Sequence, residues 1–214
     1  MGKTLKAGFD EALEELNRRG LMLVHDKIFP SLTGLTIGET IRGSWWAHPL
    51  CNDVYMISQR LQHCGDVALT KLVSGKETYL HRRLWRHLLA IGLAQEAWQL
   101  DGLTETAAAL QAEVERCGSI RLDQFRSARK GKELSEDARA LAMRLLAFVD
   151  DVHTESGAHT RRLETWQRWA ARHEVSLSDL PSAAEGRAEF QRVVTAAATE
   201  STITDSFGEE DERS

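Results

Sequence analysis

Cysteine is scarce in this sequence, and the cysteines that are present lie far apart. Cys51, Cys64 and Cys117 form an odd set, and no two of them make a CxxC pair. A disulfide framework needs an even number of cysteines, and a structural zinc site usually takes its cysteines from close pairs. The pattern argues against both, and it predicts a chain that works in the reducing cytoplasm.

Long apolar runs and glycine-rich phosphate loops are also missing. The chain contains no run of 18 apolar residues, and its first residues do not form the apolar core of a signal peptide. No GxGxxG or Walker-type motif occurs, and Gly43-Ser44-Trp45 lacks the second glycine of a nucleophile elbow. We expect no membrane span and no secretion, and the sequence assigns no cofactor and no metal.

The chain is acidic overall, but its charges are unevenly distributed. The net charge of −5 argues mildly against a protein that coats nucleic acid. Residues 41–100 nevertheless hold seven lysines and arginines against four acids, whereas residues 205–214 hold five acids and one arginine. We expect a basic surface from the first segment and a disordered acidic tail over residues 201–214.

The residue pattern predicts a mostly α-helical protein whose first half contains a small β-hairpin. This half spans residues 1–100, and its hairpin spans residues 67–81 with Ser74-Gly75-Lys76 as the turn. Helices, then a hairpin, then a helix is the order of a winged-helix-like module in which the hairpin is the wing.

The second half, residues 101–200, is predicted to be helical and to contain a long helix. Apolar residues recur at spacings of three and four from Ser135 to about Arg172. This pattern predicts one helix, or two helices broken near Ser156-Gly157. The side chains expected in its core are Leu145, Val149, Val152, Leu163 and Trp166.

Several cations cluster around the predicted hairpin and the helix that follows it. Arg82, Arg83 and Arg86 lie in the first turns of that helix, where the helix dipole disfavours cations by roughly 0.3–1 kcal/mol each. A phosphate would bind favourably there, although Asp53 or Asp66, or water, would also satisfy the arginines. The residues predicted to contact nucleic acid are Arg42, Trp45, Lys76, Arg82, Arg83 and Arg86.

Trp45 and Trp46 are neighbours, so their side chains diverge in a strand or in a helix. We expect one of them in the core and the other nearer the surface. An exposed tryptophan beside Arg42 is suited to stacking on a base.

Histidines and carboxylates supply weak candidates for catalysis. In a helix, Asp151, Glu155 and His159 share one face, where they would bind a divalent metal ion, carry out proton transfer, or form a polar layer between helices. His159 occupies an apolar place in the pattern and is expected to be buried and hydrogen-bonded. The candidate catalytic residues are His48, His81, Asp151, Glu155 and His159.

The segments Ile41-Arg42-Gly43-Ser44-Trp45-Trp46, His48-Pro49 and His81-Arg82-Arg83-Leu84-Trp85 resemble segments of small uncharacterised bacterial proteins with a winged-helix-like look. Val152 to His159, with Leu163 and Trp166, fits the same pattern. The resemblance covers about half the chain and implies an organisation, without an activity.

Three functions remain open at this level. The first is DNA binding through phosphates on the basic hairpin and helix face. The second is a hydrolase-like enzyme with a histidine and carboxylate cleft, acting on nucleic acid. The third is a helical adaptor that binds a protein partner, or itself, through the long apolar stripe.

Overall fold

The computed structural model describes residues 4–39, 41, 43–128 and 130–208, with side chains through Thr199. The protein is mostly α-helical and contains two three-stranded antiparallel sheets. Its residues divide into two compact units. The first comprises the chain up to Trp85 together with the residues from Ala188 onward, and the second comprises Arg86–Arg187.

The first unit places three helices before a hairpin. Its sheet has the strand order β1-β3-β2, and both pairings are antiparallel. The elements are α1 (Phe9–Arg19), β1 (Leu21–Leu23), α2 (Leu32–Ile37), a 3-10 turn (Trp45–Ala47), α3 (Cys51–His63), β2 (Val67–Lys71) and β3 (Glu77–His81).

The second unit contains the order helix, strand, helix, hairpin, helix, whereas the first unit has two α-helices between its first strand and its hairpin. Its sheet has the order β4-β6-β5 and is also antiparallel. The division between the units falls within α4 and α9. The elements are α4 (Trp85–Ala94), α5 (Ala97–Leu100), α6 (Glu105–Cys117), β4 (Ser119–Arg121), α7 (Lys132–Met143), β5 (Phe148–His153), β6 (His159–Glu164), α8 (Trp166–Arg172) and α9 (Ala183–Gly208).

The same glycine contact closes both units. Gly20 ends α1 and Gly118 ends α6, each in the left-handed conformation that glycine adopts at little cost. The carbonyl of Gly20 accepts from the His81 N–H at 2.9 Å, and the carbonyl of Gly118 accepts from the Thr165 N–H at 2.9 Å. These bonds tie the helix that precedes the first strand of each unit to the end of its last strand.

A buried tryptophan follows each of these bonds by four residues. Trp85 comes four residues after His81, and Trp169 comes four residues after Thr165. Both side chains are essentially inaccessible. The two units therefore share details of packing as well as part of the order of their elements.

Each unit has its own apolar core. In the first, the inward faces of α1, α3 and the sheet meet around Leu16, Ile57 and Tyr79. In the second, α6, α7 and the sheet meet around Leu110, Leu141 and Leu163. Burying a leucine or isoleucine side chain contributes about 1.5–3 kcal/mol, so these clusters are the main source of stability in each unit.

The hairpin predicted at residues 67–81 is confirmed, since β2 and β3 pair from Val67↔His81 to Lys71↔Glu77. The prediction of a long helix in the second half is wrong. Helix α7 ends at Met143, and the strands β5 and β6 occupy residues 148–164. Ser156-Gly157 lies in the hairpin turn, where Gly157 has a φ of 81°. The region 101–200 therefore contains a sheet as well as helices.

Two predicted boundaries also differ from the structure. The units divide after Trp85 and at Ala188, whereas the sequence predicted a division after residue 100. The predicted tail over 201–214 is helical in its first part, because α9 continues through Gly208. Residues 209–214 lie outside the described residues. Over the part of the chain that is described, each helix is too short or too polar to cross a bilayer.

Candidate nucleic-acid interface

Helix α3 presents a distinct outer face on the first unit. Val54, Ile57 and Leu61 point into the core, so the 3.6-residue period turns the opposite side to solvent. The side chains of α3 that face solvent carry amide, carboxylate, aromatic, thioether, guanidinium and imidazole groups, from Asn52, Asp53, Tyr55, Met56, the half-buried Gln59, Arg60 and His63. This face was not predicted from the sequence, although the spacing of the three buried residues already indicated where it lies.

An aromatic cluster lies at the start of α3. Trp45 is half-buried against the core, whereas Trp46 is 56% exposed. The two rings stack with their centroids 4.0 Å apart, and the Tyr55 ring lies 5.8 Å from that of Trp46. Trp46, Tyr55 and the 58% exposed Met56 form an outward aromatic patch. Trp46 is the exposed member of the pair, but the predicted divergence of the two side chains is wrong, because their rings stack and Trp45 is only partly buried.

The β2–β3 hairpin carries a lysine at each side of its tip. Lys71 lies 3.4 Å from Glu77, and Lys76 forms an ion pair with Asp26. Burial acts against ionisation of Asp26, but the Lys76 ammonium and the N–H groups of Phe29 and Ile28 outweigh it and lower its pKa to about 2. Lys76 is half exposed, whereas the side chain of Asp26 is nearly buried, so a phosphate that bound Lys76 would have to compete with Asp26.

The predicted basic face does not form as one surface. Strand β3 separates Lys76 from Arg82, and at about 3.3 Å per residue this places the two roughly 20 Å apart. Arg82 lies 3.0 Å from Asp66 and over the Trp85 ring. The alternative in which Asp66 neutralises an arginine is therefore realised at Arg82.

The remaining predicted arginines make other contacts. Arg83 donates to the Arg18 carbonyl at 3.2 Å. Arg86 belongs to the second unit and donates to the carbonyls of Ser178, at 3.0 Å, and Asp179. Arg42 lies outside the described residues.

Two of the candidate catalytic histidines stabilise local structure in the first unit. His48 Nε2 lies 2.9 Å from Glu39, and its Nδ1 accepts from the Leu50 N–H at 3.2 Å. His81 Nδ1 accepts from the Arg83 N–H at 3.4 Å, and burial lowers the pKa of this imidazole. These contacts place His48 just before α3 and His81 just before α4.

Asp151, Glu155 and His159 do not share a helical face, because they lie on the β5–β6 hairpin. Glu155 is in its turn, and Asp151 lies 3.6 Å from Arg161. His159 is exposed, so its predicted burial is wrong, and its ring contacts that of His153 at a tilt of 50° between the ring planes. Asp151, His159 and Arg161 do line one cavity of about 290 Å³ in the second unit.

The described residues hold no group of three or more His, Cys, Asp or Glu side chains placed to bind a metal ion. The stripe proposed for an adaptor is largely internal, since Leu145, Leu163 and Trp166 are buried as predicted. Val149 and Val152 are half-buried. Comparison of the chain with protein-family models, curated proteins and solved structures finds no match.

Proposed function

We propose that the first unit is a winged helix that binds duplex DNA, with α3 in the major groove and the β2–β3 hairpin as the wing. The observation that carries the proposal is the outer face of α3, which exposes base-reading side chains on the helix that precedes the hairpin. In winged-helix and helix-turn-helix proteins the helix in this position enters the groove. The proposal places the chain in the cytoplasm, where its free cysteines stay reduced.

The side chains on α3 match the chemistry of base edges. Asn52 and Gln59 carry amides, which pair with the N6 and N7 positions of adenine. Tyr55 and Met56 are exposed and offer apolar contact to a thymine methyl group. This helix face would therefore read sequence, while cations elsewhere in the unit would hold the backbone.

The charge of the first unit supports the same proposal. Residues 1–85 contain eleven lysines and arginines against nine acids, whereas residues 86–187 contain fourteen against sixteen. Lys71 and Lys76 on the hairpin are the described cations that we assign to phosphate, with Arg42 as a further candidate. Arg82 and Arg83 lie at the other end of β3 and are not assigned to the same contact.

The test is the salt dependence of binding to a random-sequence DNA duplex, measured by fluorescence anisotropy. The double variant Lys71→Ala/Lys76→Ala should bind more weakly at every sequence and reduce the slope of log K against log salt by up to about 2. The matched control, Lys132→Ala/Arg139→Ala, removes two exposed cations from the second unit and should leave the slope unchanged. An equal slope in both double variants would refute the assignment.

Base readout is tested separately, on the preferred sequence selected from a random pool. Asn52→Ala and Gln59→Ala should each reduce discrimination between that sequence and random duplex by about 1–3 kcal/mol, with little change in the salt slope. A uniform loss on all sequences would mean that α3 contacts the backbone only.

The aromatic patch favours a second candidate, in which the same face binds a protein. Exposed contiguous aromatic and methionine side chains are enriched in protein interfaces. In that case Trp46→Ala would abolish binding to the partner, the binding would be nearly independent of salt, and no DNA affinity would be found in the unaltered chain.

A further inference from the structure

The turn of the second hairpin brings two histidine rings into contact. His153 on β5 and His159 on β6 are register partners, and their ring centroids lie 4.2 Å apart. Both side chains are exposed. The next pair toward the turn is hydrogen-bonded, because the Thr154 N–H donates to the Ala158 carbonyl at 2.8 Å.

Hydrogen-bonded and non-hydrogen-bonded pairs alternate along an antiparallel ladder, so His153 and His159 form a non-hydrogen-bonded pair. Side chains at such pairs approach more closely than at the others. The pairing therefore fixes the two imidazoles next to each other through the backbone, before any ligand arrives.

We propose that His153 and His159 form a two-histidine site for a divalent late transition metal, of the class of Zn²⁺, Ni²⁺ or Cu²⁺. Imidazole nitrogen is a preferred ligand of these ions, with a metal–nitrogen distance of about 2.0–2.1 Å for zinc. If an ion is bonded to one nitrogen of each ring at that length, the ring centroids lie farther from the ion than the nitrogens do. With the centroids 4.2 Å apart, the angle at the ion between the two rings would be about 80°. This is near the angle between neighbouring ligands of an octahedral ion.

The turn also orients one of the ligands. His153 Nδ1 lies 3.5 Å from the Gly157 carbonyl oxygen. A backbone carbonyl that accepts from Nδ1 leaves the Nε2 lone pair free for the metal, which is the usual arrangement around histidine ligands. Gly157 has a φ of 81°, so glycine is the residue that best maintains this turn.

The ligand set differs from the one suggested by the sequence. In a helix, Asp151, Glu155 and His159 would have converged, whereas in the hairpin the partner of His159 is His153. Asp151 is engaged with Arg161. Two imidazoles leave the remaining positions of the ion to water, so the site is one for reversible binding.

The experiment is a titration of the metal-stripped full-length protein with NiCl₂ and with ZnCl₂, followed by calorimetry and by the histidine ring signals in NMR. One ion should bind per chain and shift the signals of both residues. His153→Ala and His159→Ala should each weaken this binding at least about tenfold, because each removes one arm of a chelate. Cu²⁺ electron spin resonance should show two nitrogen ligands, and one nitrogen in either variant.

His63→Ala is the matched control, since His63 is also exposed but lies on α3 in the first unit. It should leave the affinity unchanged. Circular dichroism of each variant checks that the hairpin remains folded. Binding that survives loss of both hairpin histidines, or single variants that weaken it no more than His63→Ala does, would overturn the proposal.

Discussion

The two units use similar three-stranded sheets, each packed against helices, to display different chemistry. In the first, helix α3 exposes amides and aromatic rings, and the hairpin tip carries lysines. In the second, helix α7 exposes a mixture of opposite charges that includes Lys132, Glu136 and Arg139, and the hairpin tip carries histidines. The shared frame is held by buried contacts, so the surface of each unit is free to carry a different function.

Even the polar interactions inside the second unit differ from those of the first. Asp137 of α7 is buried and accepts from the Thr104 hydroxyl at 2.7 Å, which ties α7 to the start of α6. In the first unit, the Tyr79 hydroxyl donates to Ser58 Oγ at 2.6 Å and ties β3 to α3. Both contacts link a helix to another element of its own unit, but they use different residues at different positions.

Among the substitutions that test this comparison, the largest loss of stability is expected in the core of the second unit. Leu163 is fully buried in β6, opposite Ile120 of β4. Leu163→Ala should lower the free energy of unfolding of this unit by about 2–5 kcal/mol, because the cavity adds to the lost transfer free energy. Hydrogen exchange should show faster exchange in β4–β6. A loss below about 1 kcal/mol would indicate that the site collapses around the alanine.

The two closing glycines should respond unequally to alanine. A Cβ at Gly20 would lie 2.5 Å from Arg83 Nη2 and 2.8 Å from the buried Leu84 Cδ1, whereas at Gly118 the nearest atom would be Arg168 Cδ at 3.5 Å. Both positions have positive φ, which costs a non-glycine residue about 1–2 kcal/mol.

Gly118→Ala should therefore lower the free energy of unfolding by about 1–2 kcal/mol. Gly20→Ala should lower it by about 1–3 kcal/mol more, because a Cβ there overpacks its surroundings. Urea unfolding of the two variants measures the difference. Equal losses would mean that Arg83 and Leu84 move aside without cost, and that the glycine contact has the same role in both units.

Acid should destabilise the first unit in a defined pH range. Hydrogen bonds from Arg18, and then from Arg19, lower the pKa of Glu15 to about 2 against the opposing effect of burial, and the pKa of Asp26 is also about 2. A folded-state pKa below the unfolded value adds stability above about pH 4, and this stability is lost as the pH falls toward 2.

Protonation of Glu15 or of Asp26 should each lower the free energy of unfolding by about 1 kcal/mol or less, since their cationic partners Arg18 and Lys76 are half exposed. Lys76→Met should raise the pKa of Asp26 and move its part of the loss to higher pH, as followed by thermal unfolding between pH 2 and 6. An unchanged profile would show that Lys76 contributes nothing to the folded state and is fully available to a ligand.

The sequence predicted the first hairpin but not the second, for a local reason. At residues 74–75, the pair Ser74-Gly75 marks a turn between two short segments that contain valine, threonine, leucine and tyrosine. After Met143, by contrast, the chain leaves the helix through Leu145, which has a φ of 54°. Leucine rarely adopts this conformation, so the residue type at this position did not indicate that the helix ends here.

Ambiguous spacing completed the error. Leu145, Val149 and Val152 fit a helical period, although Val149 and Val152 lie in a strand and are only half-buried. Burial of Leu163 and Trp166 was nevertheless predicted correctly, because an apolar side chain faces the core in either element. The His153–His159 pair was not predictable, since only the strand register brings these two residues together.

The smallest effect is expected at the aromatic patch, and it tests whether the outer face of α3 is a surface or part of the core. Trp46 is more than half exposed and its main described partner is the Trp45 ring, a contact worth about 0.5–1.5 kcal/mol when buried and less at a surface. Trp46→Ala should therefore lower the stability of the first unit by about 1 kcal/mol or less in urea unfolding. Trp98→Ala in the second unit, at a comparably exposed tryptophan, provides the matched control. A loss of 3 kcal/mol or more for Trp46→Ala, without a similar loss for Trp98→Ala, would mean that the aromatic patch is part of the core. The surfaces of the two units would then differ mainly at their hairpins.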